Sequence, residues 1–182
     1  MDAGFYCIDV LGVSRALSWF LIFIKWGSTH PLTHQQISIA RRVFHDALDY
    51  GKIYVDDKAR IGLHKWAHAY VSFRIINCKD KLRDDVFIHE LVHAWQYQNF
   101  GSMYIGRALV NHTTQSPYDY GGIEVLYEGM IAGKQLIEFT FEQQGEIIQH
   151  YYAIEYMRND VLEMHRSIYR YYASQLVAGS YA

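Results

Sequence analysis

Apolar and polar positions along the chain divide it into a series of short elements, with no repeated period. Residues 10–26 form a dense apolar segment, tightest over 16–24, where only Ser18 interrupts it. That is well short of the roughly 20 residues that cross a bilayer. Its flanks also lack the opening positive charge and small-residue end of a secretory leader, so it predicts a buried or interfacial helix. Residues 28–31 read as a break. Thr33-His34-Gln35-Gln36 has the form of a capping box, in which Thr33 and Gln36 satisfy two backbone N–H groups at a helix start. Ile37, Ala40, Phe44, Ala47 and Leu48 line one face of the helix that follows, which should end at Gly51.

Residues 52–55 predict a short strand closed by Asp56-Asp57, and residues 69–76, rich in β-branched and aromatic side chains, predict the strongest strand. After a polar loop over 79–83, Asp84 or Asp85 can cap a helix in which Ile88, Leu91, Val92 and Trp95 recur at helical spacing and face the core together. Residues 103–110 have helical character, Gln115-Ser116-Pro117 is a turn and Gly121-Gly122 a break, while residues 123–137 give no clear periodicity. Thr140-Phe141-Glu142-Gln143 is a second capping box, opening a helix that should continue through Tyr156. Asp160-Val161-Leu162-Glu163 has the same form and opens a tyrosine-rich helix to about Leu176.

Composition narrows the picture. A chain of 182 residues with 51 % hydrophobic and 20 % charged residues fits one globular domain. Within it we expect an apolar N-terminal segment (1–30), a core (32–156) and a C-terminal helix (160–176). The net charge is −2 and the basic residues are scattered, which argues against a nucleic-acid partner. The cluster Lys52, Lys58, Arg60 and Lys65 is broken by Asp56 and Asp57 and reads as a solvated face. Cys7 and Cys78 form no disulfide framework and no C-x-x-C pair, so both read as buried thiols.

Candidate chemistry is concentrated in one helix. His89-Glu90-Leu91-Val92-His93 is an H-E-x-x-H motif set within an amphipathic run. Residues i and i+4 share a helix face one turn apart, so two imidazoles can grip one zinc ion from a rigid support. Glu90 is turned away from that pair and is placed to act as general base toward a zinc-bound water. His64 and His68 are another i, i+4 pair, but with Lys65 between them and no neighbouring acid they make a poor second site. A third ligand must come from elsewhere, because Asn99 stands where metzincin-type sites place a histidine. The carboxylate candidates are Glu124, Glu128, Glu138, Glu142, Glu146, Glu155 and Glu163. Glu142 is preferred for its place in the first turn of an expected helix, with Glu128, Glu138 and Glu146 as the main alternatives. As oxyanion or substrate contacts, His112, Tyr118, Tyr120 and His150 are candidates because they flank the motif blocks.

Residues 87–98, Phe-Ile-His-Glu-Leu-Val-His-Ala-Trp-Gln-Tyr-Gln, resemble the zincin-like domains associated with Rhs and Vgr proteins of bacterial secretion systems and with polymorphic toxins. Three weaker blocks agree in order: residues 43–50, Tyr118-Asp119-Tyr120, and residues 141–148, so that the resemblance spans about 32–156. It implies a gluzincin-type site in which Glu142 completes the two histidines. It implies a bacterial protein held in the cytoplasm until export by a specialised secretion route, with a cognate immunity protein or a secretion-apparatus protein as partner. Two positions depart from the pattern: His45 stands where such domains tend to carry Gly, and Gly145 where they tend to carry Ala. Neither departure is expected to touch a ligand.

The expectation is therefore an α+β zincin-like domain: a small, mainly antiparallel sheet packed on the metal helix, with a helical C-terminal half. Its expected activity is zinc-dependent hydrolysis of a protein or peptide substrate, with one Zn2+, the ligands His89, His93 and Glu142, and Glu90 as base. An extended peptide could pair with the edge of the 69–76 strand. Two rival readings are a non-catalytic, zinc-stabilised binding or carrier module of a secretion system, and a membrane-active toxin working through its apolar N-terminus.

Overall fold

The structure is a computed structural model that describes residues 28–59, 69–101, 118–158 and 161–178. Several expectations lie outside those residues: the apolar segment 10–26, Cys7, the His64/His68 pair, the helix over 103–110, His112, the turn at 115–117 and the Asp160 cap. The described chain is α+β, with a four-stranded sheet, five α-helices and a helical C-terminal half. Among the described residues, no helix is long and apolar enough to cross a membrane.

Strands β1 (Thr29–Pro31), β2 (Tyr54–Asp56), β3 (Ala69–Ser72) and β4 (Ile75–Cys78) lie in the order β1-β2-β4-β3. The outer pairs are antiparallel and the central pair β2/β4 is parallel, so the sheet is mainly antiparallel, as expected. Two sequence expectations need correction. Residues 28–31 are no mere break, since β1 pairs with β2; Pro31 has no N–H to offer a ladder and is tolerated because its strand is at an edge. Residues 69–76 are two antiparallel strands rather than one, reversed at Phe73-Arg74. Phe73 takes φ 56° there, a conformation that a bulky side chain rarely adopts. Its ring lies edge-on to Tyr97 with centroids 5.7 Å apart, and the fully buried Asn77 amide donates to Ser72 Oγ at 2.9 Å and to Ile75 O at 3.0 Å. Packing and side-chain hydrogen bonds hold a turn for which the local sequence carries no glycine or asparagine.

Helix α1 (His34–Phe44) starts at the expected box: Gln36 N donates to Thr33 Oγ1 at 3.2 Å, and Thr33 N donates to Gln36 Oε1 at 2.8 Å. It ends at His45, ahead of Gly51, and Leu48 is buried from a turn beyond the helix. His45 has φ 47° and ψ −113°, a region that suits glycine and costs another residue about 1–3 kcal/mol. Tyr50 Oη donates to the His45 carbonyl at 2.6 Å and helps to hold it there.

Helix α2 (Asp84–Phe100) carries the motif. Ile88, Leu91, Val92 and Trp95 are buried together as expected, each contributing roughly 1.5–3 kcal/mol by leaving water. The opposite side is not solvent-facing, however: Asp85, His89, Glu90, His93 and Gln96 are buried too. The helix is enclosed on all sides because the sheet and α1 pack on one side and α4 (Phe141–Tyr152) on the other. Residues 123–137, which show no periodicity, fall mostly within α3 (Gly122–Ile131) and a 3-10 turn (Leu136–Glu138). The chain enters α3 through Gly121 and Gly122, both at positive φ. Helix α4 begins at the expected Thr140 box, in which Gln143 N donates to Thr140 Oγ1, and runs on as a π-helical turn (Ala153–Met157) past Tyr156. Helix α5 (Glu163–Ala178) packs on α3 and α4. Cys78 is a buried free thiol whose pKa burial pushes up to about 11.

Candidate metal centre

Helix α2 sets His89 and His93 on the face toward α4, and the Thr140 cap sets Glu142 in the first turn of α4 opposite them. The three side chains converge. His89 Nε2 is 3.2 Å from His93 Nε2, Glu142 Oε2 is 3.3 Å from His93 Nε2, and Glu142 Oε2 is 3.5 Å from His89 Nε2. Zinc–ligand bonds of about 2.0–2.2 Å at tetrahedral angles separate ligand atoms by about 3.3–3.6 Å, so the edges of this triangle, 3.2, 3.3 and 3.5 Å, are close to those of a tetrahedral centre. All three residues are buried, and together they form a group that can hold a metal ion. One polar atom beside them supports that fit: Glu90 Oε2 is buried without a hydrogen-bond partner, whereas His89 Nδ1, also without one, faces away from Glu142 toward Glu146. Burial of that kind is costly unless something else meets the group.

Charge in the centre follows from burial and proximity. Burial alone would push the His93 pKa down, but the Glu142 carboxylate outweighs it and raises the imidazole above its ordinary value. Burial would likewise raise Glu142, but His93 and His89 hold it far below the usual carboxylate range. His93 and Glu142 thus favour each other's charged forms across 3.3 Å, and a metal would bind His93 only as the neutral ring. Glu90 goes the other way: burial raises its pKa, with Glu142 adding to the rise and the two histidines opposing it.

The remaining candidates separate by position. Tyr118 lies over the centre, its ring centroid 6.1 Å from that of His89, and is 44 % exposed. Burial of the rest of the side chain, then Glu142 and Glu90, push its hydroxyl pKa up to about 12, so it keeps a proton to donate. Tyr120 is not aimed at the centre; its hydroxyl is 2.6 Å from His150 Nδ1 and 2.7 Å from the Tyr169 hydroxyl. His150 in turn meets Glu146 at 3.3 Å. Of the rival carboxylates, Glu146 approaches only the far nitrogen of His89, at 3.7 Å. Glu124, Glu128 and Glu138 are exposed, and Glu155 and Glu163 bind Arg170.

Sequence reasoning missed three contributors. Gln96 Oε1 meets His93 Nδ1 at 2.8 Å, and Gln144 meets Gln96 at 3.0 Å. Gln96 follows His93 by one helical turn in an otherwise apolar stretch, and that was the available signal. Gly145 is the third, and it overturns the expectation that this departure touches no ligand. A Cβ at Gly145 would lie 2.8 Å from Cε1 and Nε2 of His89, so the glycine gives the ring its place.

Fold and site together define an α+β domain with a buried centre of two histidines and one glutamate on facing helices. Comparison with known proteins adds a distant relation. The chain is 27 % identical over 136 residues to the type VI secretion system spike protein VgrG2b of Pseudomonas aeruginosa strain PAO1. The match covers 66 % of this chain and only 13 % of that protein, so the similarity concerns a small part of the relative. No family model matches the chain, and no solved structure matches it significantly.

Proposed function

We propose that this chain is a zinc-dependent peptidase domain of a bacterial secretion system, acting on a protein or peptide. The observation that carries the reading is the triangle of His89, His93 and Glu142 atoms at tetrahedral spacing, with an unpartnered Glu90 carboxylate oxygen on the same helix. When bound, zinc supplies Lewis acidity toward water and a peptide carbonyl. Glu90 takes the proton of the attacking water and delivers it to the leaving amine. Burial raises its pKa above the ordinary carboxylate value, which strengthens it as a proton acceptor. Tyr118 offers its hydroxyl hydrogen to the carbonyl oxygen as charge develops there. The secretion-system association rests on the similarity to the spike protein, and as partner it brings a protein of the secretion apparatus.

The test is zinc content together with cleavage of an unbiased peptide library, read by mass spectrometry, in the wild type, Glu90→Gln and His93→Ala. We expect about one zinc per chain in the wild type and in Glu90→Gln and none in His93→Ala, with cleavage reduced about 10²–10⁴-fold in Glu90→Gln. Undiminished function in Glu90→Gln would point to the non-catalytic module. A zinc-loaded wild type that cuts nothing in the library would end the peptidase reading.

A further inference from the structure

Beside the ligands, a chain of two side-chain amides joins α2 to the start of α4. Gln144 Nε2 donates to the Phe139 carbonyl at 2.8 Å, which leaves Gln144 Oε1 as an acceptor. Gln96 Nε2 donates to that oxygen at 3.0 Å and to the Phe141 carbonyl at 3.0 Å, so both of its amide hydrogens are used. Gln96 Oε1 is then the atom that meets His93 Nδ1 at 2.8 Å. An amide oxygen only accepts, so Nδ1 is the nitrogen that keeps its proton when the ring is neutral. Nε2 is left to present its lone pair toward His89 and Glu142. Both glutamines are almost wholly buried, at 0 % and 1 % exposure, and burying two primary amides is tolerable because these contacts satisfy them.

We infer that Gln96 and Gln144 are positioning residues of the metal centre. Gln96 sets the tautomer and ring plane of His93, and Gln144 sets the orientation of Gln96. The Phe139 and Phe141 carbonyls tie that setting to the segment that carries Glu142. The two helices are thereby held at ligand spacing before any ion arrives, so less ordering remains to be done on binding. The inference rests on the metal-centre reading of the site.

The test uses the full chain with Gln96→Met and Gln144→Met, which keep shape and remove the amides, and Gln96→Glu, which restores an acceptor for Nδ1. Zinc affinity is read by competition with a chromophoric chelator, geometry by the visible spectrum of the cobalt-substituted protein, and folding by the melting of the metal-free chain. We expect Gln96→Met to bind zinc about 10–100-fold more weakly with altered cobalt bands, Gln144→Met several-fold more weakly, and Gln96→Glu, which restores the acceptor but not the two donations, to recover part of the loss. If folded Gln96→Met binds zinc like the wild type and leaves the cobalt bands unchanged, the amides only pack and the inference fails. Should Gln96→Met not fold, Gln144→Met decides by the same criterion. A wild type that binds no zinc refutes the metal centre itself, which is a different result from a wild type that binds while the variants match it.

Discussion

A methyl group has no room at residue 145. Its Cβ would stand 2.8 Å from Nε2 and Cε1 of His89 and 3.0 Å from Nδ1, closer than real side chains pack. The ring has little freedom to retreat, because it is buried with Nε2 only 3.2 Å from His93. Glycine inside a helix usually costs about 0.5–1 kcal/mol relative to alanine, so Gly145→Ala should favour α4 while displacing the ligand. We therefore expect Gly145→Ala to weaken zinc binding by about tenfold or more, a loss of about 1.4 kcal/mol per decade, without lowering the melting temperature of the metal-free protein. Unaltered zinc affinity in that variant would show that His89 binds from another position. No local feature of residues 141–148 announces this close approach of residue 145 to the His89 ring.

At the scale of elements, the legible features were those set by local chemistry. Both threonine capping boxes are present as read, because an N-cap hydrogen bond joins residues three apart. The motif helix and its apolar positions followed from periodicity. The hairpin at Phe73-Arg74 and the helix end at His45 did not, since each puts a bulky residue at positive φ where tertiary contacts hold it. The amide chain was hidden for a similar reason, since Gln96 and Gln144 meet only once α2 and α4 pack. One further cross-element contact joins these helices. Asp85, buried in the first turn of α2, accepts from Arg83, through Nε and through Nη2 at 2.6 Å, and from Gln149 Nε2 on α4 at 3.3 Å. Burial pushes its pKa up, but Arg83, the Val86 N–H and Gln149 outweigh that and hold the carboxyl below its ordinary value. A carboxyl depressed on folding stabilises fully above its unfolded pKa of about 3.9, and the benefit fades as pH falls through the folded value. Asp85→Asn should therefore be less stable than the wild type at pH 7, with the gap closing from about pH 5 to pH 2. Denaturant unfolding of both proteins across that range measures it, and a gap that widens on acidification contradicts the assignment.

At the scale of the whole molecule, the centre joins the motif helix, which is packed on the sheet, to the first turn of α4 in the helical C-terminal half. A metal held by ligands from both parts binds the folded chain and not the unfolded one. At free zinc about 1,000 times its dissociation constant, that linkage adds about 4 kcal/mol. In a chain of 182 residues this corresponds to a rise in melting temperature of roughly 10 °C, which a chelator should reverse. The variants divide the contributions. Glu90→Gln should show the full zinc-dependent rise, since Glu90 lies outside the group of His89, His93 and Glu142, and His93→Ala should show none. Glu142→Ala should show a reduced rise, having lost the carboxylate that meets both histidines at 3.3 and 3.5 Å. It should also change the metal-free protein, because His93 is then buried without its counter-charge, so each variant must be compared with its own metal-free form. A full zinc-dependent rise in Glu142→Ala would exclude Glu142 as a ligand while leaving the histidine pair intact. Glu146, 3.7 Å from the other nitrogen of His89, would then be the next carboxylate to substitute.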